Sequence, residues 1–233
     1  DVHAFIELTS ALALEQAQVA EREIVRAGSR GPMHGIPFGL KDIYDTRGIR
    51  TTGHSALHLK RLPEQDSACA EKLYAAGAVL LGKLATHEFA TGGPAYDLPW
   101  PPASNPWLLD RFPGGSSSGS GAAVAAGFCD IALGTQTSGS VIRPAGYCGT
   151  FGYKPSFGRV ALDGVLPYSK SMDHIGLFAK DMPTMAATLP ILVTDWRNTK
   201  DSLANKPIIG VPMGSYIDLA MPHVSAQFEM IIS

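Results

Sequence analysis

Two turns built almost wholly of glycine and hydroxyl residues constrain this chain more than any other feature. The first is Gly114-Gly115-Ser116-Ser117-Ser118-Gly119-Ser120-Gly121. The second is Gly134-Thr135-Gln136-Thr137-Ser138-Gly139-Ser140. Glycine lets backbone N–H groups come close to a ligand and take positive φ. A helix that follows such a turn adds a positive dipole end. Between the turns, residues 122–126 read as a small-residue helix and 131–133 as a strand. A helix–strand unit of this kind brings its two Gly/Ser ends near each other in space.

The flanking sequence predicts α/β layering. Thr9 or Ser10 starts a helix that runs to about Ala27 and closes at Gly28. Ala13, Ala17, Ala20 and Ile24 form its apolar stripe, with Glu15, Gln18, Arg22 and Glu23 facing away. Residues 35–40 form a short apolar run bounded by Gly and Pro, which reads as a buried strand leading into Lys41-Asp42. A second helix starts at Asp66 or Ser67, runs through Ala76 and stops at Gly77, and residues 78–81 follow as a strand. The Pro-rich stretch 96–113 reads as a rigid loop. Trp100 and Trp107 are expected to pack it. From Val141 another short helix is expected, with Arg143 and Pro144 in its first turn.

Bulk properties narrow the function classes. The 233 residues are 45% hydrophobic and 17% charged, with formal net charge −2. That is a globular composition with no pull toward nucleic acid or an anionic membrane. No apolar stretch has the length of a membrane span. Cys69, Cys129 and Cys148 lack a disulfide pattern and read as buried thiols, which points to a reducing, cytoplasmic setting. The start, Asp1-Val2-His3-Ala4, does not read as a signal peptide. The end stops inside an apolar-periodic segment. The chain is expected to be one domain over 1–233, cut at both ends. A homodimer is left open.

Three chemistries compete for the glycine–serine turns. A phosphate loop needs a Lys beside the run, and none lies between Asp110 and Tyr153. A nucleophile elbow fits Gly115-Ser116-Ser117-Ser118-Gly119, with Ser117 as nucleophile and Asp173-His174 as its partners. An elbow must follow a strand, and a Pro-rich loop precedes this one. The third reading uses both turns. Ser140 follows a turn able to aim several N–H groups at one point, as an oxyanion hole requires. A serine hydroxyl needs a base. Ser116 can relay the proton, and Lys41 can accept it if burial lowers its pKa. Taken alone, Lys41 is more readily read as a surface lysine. His54 and His58, and His87-Glu88, lack the second half of a metal motif, so no metal or cofactor is expected.

At this point the residues resemble a known family. Gly35-Ile36-Pro37-Phe38-Gly39-Leu40-Lys41-Asp42, Thr51-Thr52-Gly53, both glycine–serine turns, Val141-Ile142-Arg143-Pro144-Ala145, Gly152-Tyr153-Lys154-Pro155-Ser156 and Ser171-Met172-Asp173-His174-Ile175-Gly176 resemble, in order, the blocks of the amidase signature family. The resemblance implies a three-layer α/β/α fold around a large mixed sheet, incomplete in a chain of this length. It implies an amidase that hydrolyses a carboxylic amide through a Ser-Ser-Lys triad and a serine acyl-enzyme. Ser140 is implied as nucleophile, Ser116 as the bridging serine on a cis peptide bond, and Lys41 as base and acid. The N–H groups of Thr137, Ser138, Gly139 and Ser140 are implied as the oxyanion hole. Ser117 and Arg143 are implied as supports. Relatives often carry an acidic residue where Gln136 stands, and Gly where Ser138 stands. The partner expected is a small amide, with no nucleic acid and no membrane. Amides, ureido acids and carbamates all stay open. The alternatives are an amidotransferase-type subunit that feeds ammonia to a partner in tRNA-dependent amide formation, an inactive scaffold, and the Ser117 hydrolase.

Overall fold

A computed structural model describes residues 1–197, 208, 210, 211 and 214–232. Ser233, the end of the apolar C-terminal segment, lies outside them. The described residues fall into two compact units, 1–196 and 197–233. The second contributes two helices, α6 (Ser215–Asp218) and α7 (Pro222–Ile232). The first holds the sheet and both glycine–serine turns.

That sheet is built from β1 (Phe5–Leu8), β2 (Pro37–Lys41), β3 (Val79–Leu84), β4 (Ile131–Gln136), β5 (Phe151–Tyr153) and β6 (His174–Ala179). The strand order is β1-β3-β2-β4-β6-β5. β2 runs parallel to β3 and β4, whereas β1, β5 and β6 pair antiparallel with their neighbours. The mixed sheet that the family resemblance implies is therefore present.

Side-chain alternation along the central strands makes the layers, because successive residues of a strand point to opposite faces. On one face Phe38, Leu40, Leu80, Ile131, Leu133, Ile175 and Leu177 meet α2 (Ala68–Ala75) and α5 (Met182–Leu192) through Cys69, Leu73, Met185 and Leu189. On the other, Leu84, turned to this face by a register shift in β3 between Leu80 and Gly82, joins Ala132 and Phe178 against α3 (Ser118–Ala125) and α4 (Ile142–Cys148) through Ala122, Ala123 and Ala145, with Val141 just before α4. Helices thus cover both faces, which gives the three-layer α/β/α arrangement.

Helix α1 (Ser10–Ala27) has the expected bounds, with Thr9 before it and Gly28 closing it at φ 83°. Two details differ from the sequence reading. Thr9 does not cap the helix with its side chain; its hydroxyl donates to Leu80 O at 2.8 Å and ties the helix start to β3. The buried stripe is also rotated: Ala17 is exposed, and Leu12, Gln16, Val19 and Ala20 face inward. Gln16 explains the shift, since its Oε1 accepts from Leu80 N at 2.8 Å.

Two lysines are buried in the sheet. Lys83 on β3 pairs with Asp42 Oδ1 at 3.2 Å and donates to Tyr44 O and Thr51 Oγ1. Asp42 Oδ2 also receives Thr52 N and Thr52 Oγ1, so this pair fixes the 42–52 loop. Lys41 is different, because no carboxylate among the described residues forms an ion pair with it. The three cysteines are buried free thiols. No helix among the described residues is long and apolar enough to cross a membrane.

Candidate active site

Lys41 ends β2. It follows Leu40, which faces α2 and α5, so alternation turns Lys41 toward α3. The side chain is wholly buried. Its Nζ donates to Ser116 Oγ at 2.8 Å and to Thr135 Oγ1 at 2.9 Å. Burial pulls the ammonium down from 10.5 to about 7, and the Asp173 carboxylate opposes that shift. An amine in such a setting is poised to take and return a proton near neutrality.

Ser116 lies in the turn that leads into α3. The Gly115–Ser116 peptide is cis. The guanidinium of Arg143 grips the Gly115 carbonyl twice, through Nε at 3.0 Å and Nη2 at 2.7 Å. Gly114 sits at φ 82°, and a Cβ there would lie 2.6 Å from the Pro144 Cα, so this turn and the start of α4 are in direct backbone contact. The next serines hold α3 on the sheet. Ser117 Oγ donates to Thr135 O at 3.1 Å and accepts from Thr135 N at 3.2 Å. Ser120 Oγ donates to Leu133 O at 2.9 Å. A helix rich in Gly and Ser has weak intrinsic propensity; these bonds and its burial hold it in place.

The second turn is shaped by Gln136. Its Oε1 accepts from Val141 N at 2.9 Å and Ile142 N at 3.0 Å, while its Nε2 donates to Ser138 O at 2.9 Å. A carboxylate could make the first two bonds but has no donor for the third. The amide therefore matches a turn whose Ser138 carbonyl points inward. Ser117 N donates to Ser140 O at 3.4 Å, which joins the two turns. Among the described residues, no hydrogen bond uses the backbone N–H of Thr137, Ser138, Gly139 or Ser140, and none links the Ser140 hydroxyl to Ser116. Four adjacent free donors are what a developing oxyanion needs.

Accessibility grades outward through the three side chains. Lys41 is 0% exposed, Ser116 2% and Ser140 8%. All three residues are therefore buried, with Ser140 the least deeply so.

The rival elbow finds no such geometry. Both hydrogen bonds of the Ser117 hydroxyl go to the Thr135 backbone. His174 Nδ1 bonds Met172 O at 2.7 Å, and the ring packs edge-on to Phe157. The Asp173 carboxylate is engaged elsewhere, with Thr137 Oγ1 at 2.5 Å and with Tyr168 N and Ser169 N, both at 2.8 Å. Trp107, expected to pack the loop, is instead 75% exposed and is tied down by its indole N–H, which donates to Cys148 O at 2.7 Å.

Three neighbours have no role at this site in the sequence reading. Thr135 supplies the second acceptor for Lys41, and Asp173 holds Thr137. His87 donates its backbone N–H to Ser116 O at 3.0 Å, and its ring lies so close to Gly115 that a Cβ there would be 2.2 Å from Nε2. Burial pushes the His87 imidazole down to about 4, so it is neutral near pH 7. No simple spacing links residues 87, 116 and 173. Only the sheet order brings them together. Among the described residues, no group of three or more His, Cys, Asp or Glu side chains could hold a metal ion.

Known proteins share this architecture. A family model described as Amidase matches residues 1–216. A glutamyl-tRNA(Gln) amidotransferase subunit of Syntrophus aciditrophicus (strain SB) is 39% identical, with the alignment covering 100% of this chain and 50% of the relative. The protein of the same name from Geobacter sp. (strain M21) is 45% identical at the same coverage, 100% and 50%. The solved native peptide amidase from Stenotrophomonas maltophilia has a TM-score of 0.76 and 34% identity, covering 86% of this chain and 41% of that one. The chain spans about half the length of the curated relatives it matches.

Proposed function

We infer that this chain, which belongs to the Amidase family, cleaves a carboxylic amide C–N bond through a serine acyl-enzyme. The observation that carries the reading is the Lys41 Nζ–Ser116 Oγ hydrogen bond in a site where burial holds the amine near neutrality. Lys41, Ser116 and Ser140 are the triad in this reading. Neutral Lys41 takes the proton of Ser116 as Ser116 takes that of Ser140. Ser140 Oγ attacks the amide carbonyl, and the four free N–H groups from Thr137 to Ser140 receive the oxyanion. The proton returns through Ser116 to the leaving nitrogen, and ammonia or an amine departs. Water then hydrolyses the ester on Ser140. Ser117 and Arg143 hold the two turns in register. No cofactor enters the cycle. The three buried free thiols suit a reducing, cytoplasmic setting.

The pH dependence tests this assignment. Protonated Lys41 cannot accept a proton, so kcat/KM is expected to rise about tenfold per pH unit on the acid side and level off above about 7. A panel of primary amides, anilides and carbamates, assayed across the acid and neutral range, reads this limb. A profile flat through that range removes Lys41 as base.

A second reading is favoured by the names of the relatives at 39% and 45% identity. In it the same acyl chemistry belongs to one component of an amidotransferase, and ammonia passes to a partner. Free amide hydrolysis by the protein alone supports the first reading. Hydrolysis that emerges only after co-purified subunits are added back supports the second.

A further inference from the structure

Asp173 is a buried carboxylate for which the proposed cycle has no step. It is 5% exposed and lies just before β6. Oδ1 accepts the Thr137 hydroxyl at 2.5 Å, and Oδ2 accepts Tyr168 N and Ser169 N, both at 2.8 Å. One oxygen therefore grips Thr137, the first residue after β4, while the other is anchored to the 168–169 loop. The same carboxylate acts electrostatically on Lys41, although the two make no direct ion pair.

We propose that Asp173 is a positioning residue of the amide-cleaving site, one that orients the Thr137–Ser140 turn through the Thr137 hydroxyl and whose negative charge acts on Lys41 without contact. The proposal rests on the triad reading above. Its two actions are separable. The first concerns where the free N–H groups point, and so the plateau rate. The second concerns how readily Lys41 keeps a proton, and so the position of the acid limb. Among the described residues, the imidazole of His87, from the turn after β3, also senses Lys41, and burial keeps it neutral. Ser116 and Thr135 contribute only hydroxyls. Arg143, on α4, is held on the Gly115 carbonyl. Asp173 is thus the anion whose loss should register at Lys41.

A carboxylate favours the ammonium form, so removing its charge lowers the Lys41 pKa and moves the acid limb to lower pH. Asp173→Asn keeps the size and the acceptor oxygen of the side chain. In this variant the limb is expected to move down by about one unit, with the plateau falling on the order of 10- to 100-fold. Thr137→Val removes the hydroxyl but keeps the charge. It is expected to lower the plateau similarly and leave the limb in place. A merely structural Asp173 would lower the plateau without moving the limb in either variant, and that outcome overturns the proposal.

Two further measurements keep the test decisive. Lys41 can be titrated directly by NMR in protein labelled with ¹³C at the lysine ε carbon, independent of turnover. If Lys41 is not the base, the wild-type rate shows no limb near 7, yet the NMR shift still reports the Asp173 charge. If Asp173 does not act on Lys41, the wild-type limb is there and Asp173→Asn leaves both readouts unmoved. Should Asp173→Asn not fold, Asp173→Glu and Thr137→Val both retain a carboxylate. Each must hold the limb near its wild-type position, and a limb displaced in either contradicts the proposal.

Discussion

Ser140→Ala is expected to reduce amide turnover by on the order of 10⁴- to 10⁶-fold while leaving the protein folded. The size of the loss follows from the role: without the hydroxyl no acyl bond can form, and only binding and the free N–H groups remain. The lack of a folding penalty follows from the geometry. The Ser140 hydroxyl makes no hydrogen bond among the described residues, and its backbone carbonyl, which receives Ser117 N, is unaffected by the change. Steady-state rates on a primary amide, beside a urea unfolding curve, check both halves. Turnover near the wild-type level removes Ser140 from the mechanism. A large loss of stability would mean that the rate defect says nothing about chemistry.

Lys41→Met is expected to separate activity from stability in opposite directions. Activity should fall by at least about 10³-fold, since Lys41 is the amine hydrogen-bonded to the Ser116 hydroxyl. Stability should rise. Folding takes the Lys41 amine from its ordinary 10.5 to about 7. At pH 7 the cost of stripping that proton is on the order of 4 kcal/mol. Methionine has a similar shape and no charge to desolvate. Part of the gain is lost because the Ser116 and Thr135 hydroxyls each lose a partner, at about 1 kcal/mol apiece. The net expectation is a gain of roughly 1–3 kcal/mol at pH 7.

The pH sign adds a second check. The native state binds fewer protons at this site than the unfolded state between about 7 and 10.5. Wild-type stability from this group therefore climbs as pH rises through that window. The advantage of Lys41→Met should be fully present at pH 7 and below, and should shrink toward pH 10. Chemical denaturation at several pH values reads it. A variant less stable than wild type at every pH would show that Lys41 is not held as a costly, buried amine.

Parts of the fold are plain in the sequence because local signals agree with the final packing. Helix α1 closes at Gly28, where a positive-φ glycine is a local requirement, while Thr9 marks its start through a bond to β3 and not through a side-chain cap. β2 is legible as an apolar run. Other elements are set by tertiary contacts instead. β4 continues to Gln136, past the point where Gly134 and the hydroxyl residues suggest a turn, because it pairs residue by residue with β6. Gly134 lies opposite Gly176 in that pairing, and a Cβ on Gly134 would come within 2.6 Å of Ser117 Oγ. α3 begins at Ser118, inside a run that reads as loop, because its hydroxyls bond to the strand beneath. α5 is hidden by Pro183 and Pro190, of which the first is tolerated at the helix start.

The candidate site divides along the same line. Ser116, Ser140 and the oxyanion turn stand out through composition. Lys41 gains its place from the resemblance and its chemistry from burial, which no single residue reveals. Asp173 reads in the sequence as half of a rival pair with His174, because the two are adjacent. Asp173 lies in the loop before β6, and its carboxylate meets Thr137, Tyr168 and Ser169 instead of the His174 ring. Gln136, a departure from the acidic residue common in the family, is the brace of the nucleophile turn.

The most direct test of the central claim is to trap the acyl group. The protein is mixed with an activated amide or aryl ester, quenched in acid during turnover and mapped by peptide mass spectrometry. The expected result is an acyl mass on the peptide that carries Ser140, lost in Ser140→Ala and labile to hydroxylamine. An acyl mass on Ser117, or sustained turnover with no covalent species under conditions that trap one in a known serine amidase, would contradict it.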